Sequence, residues 1–219
     1  MIKIVYEDNH ILVVEKPINI PVQGDSSGDL DFLTTLKEDL KKRYHKPGNV
    51  YLGLVHRLDR PVGGIMVFAK TSKAASRLSE QVRTHQFIKK YYAVVCGKIK
   101  EVDTYEDKLL KNQKTNIVTV HPTGKLAQLS YQRIGYDKKT NLSLVDISLK
   151  TGRSHQIRVQ FSHHGHALYG DQKYSKYAKV GEQIALFSYQ LTFIHPTTKE
   201  TMEFTLNRPK SYPWNVFQS

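Results

Sequence analysis

The sequence predicts an α+β fold in which paired antiparallel strands outnumber helical crossovers. Three observations lead there: short apolar segments recur between clusters of turn-forming residues, helical spacing is confined to three stretches, and strand-like segments often follow one another with no helix between them. With 219 residues, 39% of them apolar and 10% aromatic, the chain can bury one sizeable core or two small ones, which excludes a disordered tail protein.

Ile2–Tyr6 and Ile11–Glu15 flank Glu7-Asp8-Asn9 and read as a hairpin. Leu30–Tyr44 places Leu33, Leu36, Leu40 and Tyr44 at helical steps, and its basic end, Lys41-Lys42-Arg43, suits the negative pole of a helix dipole. Pro47-Gly48 ends that helix. Val50–Val55 and Ile65–Ala69 read as strands across a tight polar connection. Thr71–Arg83 is a second helix, capped by Thr71 or Ser72, with Ala75, Leu78 and Val82 on one face. Tyr91–Gly97 is a strand, and Lys111–Lys125 an extended loop or loose hairpin. Leu126–Ile134 and Leu142–Leu149 form a strand pair turned by Asp137-Lys138-Lys139. Arg153–His164 is a third helix, with Ile157 and Phe161 on one side, His155 and Arg158 on another, and Gly165 at its C-terminal stop. Ala185–Thr192 and Glu200–Leu206 are the last strands. No repeat, low-complexity tract or linker interrupts the chain, so residues 1–219 are expected to form one domain, with two halves at most.

Thirty-three Lys and Arg against 20 Asp and Glu give a formal charge of +13. Residues 1–32 carry −4, residues 33–100 carry +11 and residues 101–219 carry +6. A field of that sign concentrates polyanions and gains free energy from counterion release when phosphates are neutralised. Charge alone also admits an acidic surface partner, an anionic membrane surface or a merely soluble Lys-rich surface. No apolar run approaches the ~18 residues that cross a bilayer, and the N-terminus MIKIVYEDNH has acids where a signal peptide is basic, so a soluble cytoplasmic protein is expected. The single cysteine, Cys96, forms no internal disulfide and builds no zinc site by itself.

No glycine-rich nucleotide fingerprint, HExxH or G-x-S-x-G elbow is present. His163-His164-Gly165-His166 has no cysteine or carboxylate company before Asp171, and on a helix His163 and His164 diverge, so no metal site is expected. What remains is Val55–Gly64 (VHRLDRPVGG). Asp59 is the only acid between Asp39 and Glu80, and it stands between Arg57 and Arg60. Such a carboxylate either braces its loop or supplies covalent chemistry at a sugar anomeric carbon. Local sequence leaves both open.

The segment His56–Lys70 (HRLDRPVGGIMVFAK) resembles the HRLD active-site motif of the RluA family of RNA pseudouridine synthases. Three further stretches match in order. Glu15-Lys16-Pro17, ending at Val22, resembles the early Lys-Pro motif. Lys89–Gly97 (KKYYAVVCG) resembles the K-x-Y-x-A-x-V-x-G strand. Thr151–Arg158 (TGRSHQIR), continuing to Gly170-Asp171 and Tyr174, resembles the GR-[ST]-HQ-[IL]-R helix and the G-D-x-x-Y that follows it. Departures are Asn19 for a usual Gly, Val62-Gly63 for a common Thr-Ser, and Gln160 for a common His. None removes a group the chemistry needs.

The resemblance implies a pseudouridine synthase fold: a mixed, largely antiparallel central sheet flanked by helices, with the active-site cleft across the sheet. It implies isomerisation of uridine in tRNA or rRNA with no cofactor and no metal, and with RNA as the partner, no membrane and no obligatory protein partner. Asp59 is then the catalytic aspartate, acting by attack at C1′, addition to C6 or assistance of elimination. Arg158 is the arginine that pairs with it, and Tyr91 the active-site tyrosine that packs on the uracil. Tyr92 is expected on the opposite face of its strand. Arg57 is expected to enter the RNA beside the flipped nucleotide. Arg60 and Lys16 join it as RNA-binding candidates, and Arg153 braces the helix start or a phosphate. Lys41, Lys42, Arg43, Lys73, Arg77, Lys89 and Lys90 are further candidates for phosphate contact. The S4-like RNA-binding domain of some relatives is expected to be absent. Two rivals are a catalytically silent RNA-binding module on the same fold and a metal-dependent nuclease built on His163–His166.

Overall fold

Ile11–Val14 is apolar without alternation, the pattern of a strand covered on both faces. In a computed structural model, which describes residues 2–25 and 27–217, these four residues are fully buried. They belong to an antiparallel hairpin of β1 (Lys3–Glu7) and β2 (Ile11–Lys16), turned where the Asp8 carboxylate accepts the His10 and Ile11 N–H groups, each at 2.7 Å. The chain divides into two units: Met1–Ile88 with Gln190–Leu206, and Lys89–Tyr189 with Asn207–Ser219.

In the first unit, α1 (Phe32–Arg43) begins where Asp31 accepts the Thr34 N–H at 2.9 Å, and it buries Phe32, Leu36 and Leu40. The expected strand over 50–55 contracts to β3 (Gly53–Leu54), which pairs with β4 (Gly63–Ala69). β4 also lies antiparallel to β2, from Ile11↔Ala69 to Lys16↔Gly64. α2 (Ser72–Arg83) is capped by Thr71, whose hydroxyl accepts the Ala74 N–H at 3.1 Å. Its buried residues are Ala74, Leu78 and Gln81, one step round from the expected Ala75, Leu78 and Val82. The Gln81 amide sets that rotation by bonding the backbone of Ile194 twice, Nε2 to its carbonyl at 2.7 Å and Oε1 from its N–H at 2.8 Å.

The second unit orders its strands β5 (Ile88–Cys96), β9 (Leu142–Leu149), β8 (Lys125–Asp137), β6 (Val102–Asn112) and β7 (Ile117–Val120), with every neighbouring pair antiparallel. The segment 111–125 thus resolves into a hairpin. β6, to which periodicity assigns no element, buries only Tyr105 and Leu109 on one side and faces solvent with Glu106, Lys108 and Leu110. α3 (Gln156–His163) lies over the face of Tyr105 and Tyr131, with the Phe161 ring 5.3 Å from each. It starts three residues later than expected, because His155 takes a left-handed conformation (φ 51°) at the N-cap. It ends as expected at Gly165 (φ 85°), where the Gly165 N–H donates to Ser162 and the His166 N–H to Phe161, a Schellman stop. β10 (Leu186–Ile194) and β11 (Thr201–Thr205) pair antiparallel from Gln190↔Thr205 to Ile194↔Thr201. Among the described residues, no helix is long and apolar enough to cross a membrane.

Gln81→Ala removes both bonds to Ile194 and should lower the unfolding free energy by about 1–3 kcal/mol. Urea denaturation checks this, as a fall in midpoint with the slope unchanged.

Candidate active site

Residues 55–62 carry Asp59 without regular secondary structure, yet they alternate: His56 and Leu58 are buried, Arg57 and Arg60 exposed, Asp59 half-buried. His56 is the anchor. Its Nε2 accepts the Val67 N–H at 3.1 Å, and its ring lies 5.3 Å from that of Phe87. The Val62 N–H donates to the Asp59 carbonyl at 2.9 Å, closing a tight turn over Arg60-Pro61.

Lys16 underpins this turn. It is 1% exposed, and its ammonium donates to the carbonyls of Pro17 (2.8 Å), Arg60 (3.1 Å) and Val62 (2.8 Å). Three hydrogens meet three acceptors, the condition under which an ammonium tolerates burial. Burial pushes its pKa down to about 8, against the Asp59 carboxylate, which pulls it up. Gly63 leaves room for the Lys16 main chain, since a Cβ there would lie 3.0 Å from Ile18 and 3.3 Å from the Lys16 carbonyl oxygen. Lys16, expected to contact RNA, directs its three hydrogens at these loop carbonyls in the structure. Arg60 is exposed and pairs with Asp29, with a second bond to Ser27 Oγ at 3.1 Å.

Tyr91 and Arg158 belong to the second unit. Tyr91 on β5 stands opposite Ile147, which in turn stands opposite Tyr131. The three share one sheet face, the face that α3 covers through Tyr131 and Phe161. Tyr92 points the other way, as expected, and stacks on Tyr189 at 3.8 Å. Arg158 is buried on α3 in a two-pronged bond to Asp171, Nε to Oδ2 at 2.8 Å and a terminal nitrogen to Oδ1 at 2.7 Å. Asp171 also accepts the backbone N–H groups of Lys173 (3.0 Å) and Tyr174 (3.3 Å). The guanidinium lies over the Tyr174 ring at 5.2 Å, and the Tyr174 hydroxyl meets His155 Nδ1 at 2.6 Å.

Asp171, Tyr174 and His155, members of the motifs with no role assigned from sequence, are the side chains gathered around Arg158. Asp171 is poised by Gly170, where φ is 69° and a Cβ would fall 2.3 Å from the Gln183 carbonyl oxygen. Arg153 Nε donates to the Leu126 carbonyl of β8 at 2.8 Å. Lys16, Arg57, Asp59 and Arg60 thus lie in the first unit, and Tyr91, Arg153 and Arg158 in the second. Of the other basic candidates, Lys41, Lys42 and Lys73 are exposed, whereas Arg43 pairs with Glu7 and Asp39, and Arg77 donates to the Pro196 carbonyl. His164 stacks on Tyr105 at 3.9 Å and its Nε2 meets Asp107, while His166 Nδ1 meets the Cys96 carbonyl. Among the described residues, no three metal-donor side chains gather.

The fold is that of the human RNA pseudouridylate synthase domain containing 4 protein, with a TM-score of 0.79 at 22% identity over 95% of this chain and 89% of that one. Residues 10–163 match the pattern of the RNA pseudouridylate synthase family, and the chain belongs to that family. It is 35% identical over 208 residues to ribosomal large subunit pseudouridine synthase C of Vibrio cholerae, covering 91% of this chain and 64% of that protein. It is 32% identical over 232 residues to ribosomal large subunit pseudouridine synthase D of Pasteurella multocida, covering 96% of this chain and 68% of that protein. The chain spans just under two thirds of the length of the synthase C relatives from Vibrio. The RluA-type resemblance is thereby borne out.

Above pH 8 the folded chain releases the Lys16 proton, whereas the unfolded chain holds it to the ordinary 10.5. Unfolding then takes up a proton and becomes harder as pH rises. Stability of the wild type measured against Lys16→Met should therefore rise by about 1.4 kcal/mol per pH unit between these values. Asp171→Asn removes the charge that faces a buried guanidinium and should cost on the order of 3 kcal/mol, read as a lower denaturation midpoint.

Proposed function

We propose that the chain is an RNA pseudouridine synthase that isomerises uridine in rRNA or tRNA, working in the cytoplasm as one catalytic domain without a cofactor. The observation that carries this reading is the family match over residues 10–163, a span that takes in Asp59, Tyr91 and Arg158. The names of the C and D relatives favour RNA of the large ribosomal subunit as the substrate class. In the reaction the N1–C1′ bond breaks, the uracil turns, and C1′ bonds to C5. The C5 proton leaves and N1 takes one up, so atoms and electrons balance without a donor, an oxidant or a metal.

Asp59 is the reacting carboxylate, at C1′, at C6 or in elimination. Each route asks for an oxygen held at a fixed place beside a nucleotide taken out of its stack. The turn pinned by Lys16 supplies such a support. Tyr91 packs along the uracil, and Arg158, its fork oriented by Asp171, steadies charge at the reacting group. Arg57 is exposed next to Asp59, where a planar cation can stack in the space an extruded base leaves.

Incubation with uridine-containing rRNA and tRNA, with chelator and without nucleotide, should yield pseudouridine. Asp59→Asn should lower the yield by at least about a thousandfold while leaving RNA binding in place. Unchanged product from Asp59→Asn would overturn the role of that residue. RNA binding with no product from the wild type would favour the silent module, and strand cleavage that chelator suppresses would favour the nuclease.

A further inference from the structure

Lys16 and Lys89 both lose part of their contact with water, and their surroundings differ in one respect. Lys16 has three carbonyl acceptors. Lys89, on β5, is half-buried, and among the described residues neither a hydrogen-bond acceptor nor a carboxylate meets its ammonium. Its register is Lys89↔Leu149, and Tyr91 two residues on pairs with Ile147, so both side chains leave the same face of the strand. The Lys89 Nζ reaches the turn that follows β9, ending 3.1 Å from the point a Cβ of Gly152 would occupy. Gly152 presents no side chain there. The neighbouring Thr151 hydroxyl is bonded to the Gln156 amide oxygen at 2.8 Å, and the Arg153 Nε to the Leu126 carbonyl. Asp146 stands opposite Tyr92, on the other face. Burial lowers the Lys89 pKa with no carboxylate to oppose it.

A cation partly withdrawn from water, with no counter-charge beside it, carries a desolvation cost that no partner among the described residues offsets. The group that would offset it is an anion brought in from outside. RNA, the substrate under the reading above, has phosphate as its only anion. On that reading we propose that Lys89 and the bare Gly152 turn form a phosphate subsite, which binds the RNA backbone alongside Tyr91. It differs from the exposed lysines of α1 and α2 because its ammonium is partly withdrawn from water and gives up no partner of its own when the RNA arrives.

Steady-state pseudouridine formation and direct RNA binding, both over a range of salt, test the subsite with Lys89→Met, Gly152→Ala and the double variant. Lys89→Met should raise KM and Kd about tenfold, reduce the slope of log Kd on log salt by about 0.7–0.9, and leave kcat within about twofold. Its urea midpoint should equal or exceed that of the wild type, since an unopposed, partly buried charge is removed; a structural lysine would give the opposite. Gly152→Ala should raise KM by displacing the ammonium, and should add nothing to Lys89→Met. Unchanged Kd and salt slope in Lys89→Met, or a lowered midpoint, would overturn the subsite. A wild type that makes no pseudouridine would sink the functional reading instead, and the binding measurements would still decide on Lys89.

Discussion

Taking an ammonium out of water costs several kcal/mol unless every one of its hydrogens finds an acceptor. The first unit meets that condition at one point, and the geometry of the Asp59 loop follows from it. Lys16 ends β2 opposite Gly64, so its side chain emerges beneath the turn that precedes β4. The carbonyls it binds, Arg60 and Val62, lie immediately after Asp59 in the chain and 44 and 46 residues from Lys16. A loop rich in glycine, proline and arginine would otherwise wander. Tied by a cation to the sheet, it holds a carboxylate between two exposed arginines.

The second unit solves a similar problem with a helix. α3 is buried nearly all round although Gln156, Arg158 and Gln160 are among its buried residues. Each of the three side chains has a partner: Gln156 with Thr151 and the Arg153 N–H, Arg158 with Asp171, and the Gln160 amide nitrogen with Asp107 at 2.7 Å, while the buried Gln160 oxygen meets none among the described residues. A polar helix can enter a core only when its partners are placed in advance. Here they come from the turns at its two ends and from β6.

Elements whose signals are local were legible from the amino acids. The hairpin around Asp8, the Thr71 start of α2 and the Gly165 end of α3 all depend on neighbours within a few residues. The motifs likewise marked Asp59, Tyr91 and Arg158. Features set by long-range partners leave no local signal. The buried face of α2 turns toward Gln81 because of Ile194, 113 residues away. The role of Asp171 needs α3 to be in place, and Lys16 looks like any surface lysine until its three carbonyls are known. β6 hid because two buried residues in eleven leave hardly any alternation to read.

The Schellman stop and the His166 contact with Cys96 fasten the far end of α3 to β5, while Gln156 fastens its start to the Thr151 turn. A helix held at both ends cannot slide or rotate by small steps, and its arginine is clamped by two further bonds. The rotamer entropy of that long side chain is therefore surrendered when the protein folds, not when it meets a ligand. Any anion that approaches finds a guanidinium whose reorganisation has already been done, so attraction there is not discounted by the ordering of the side chain.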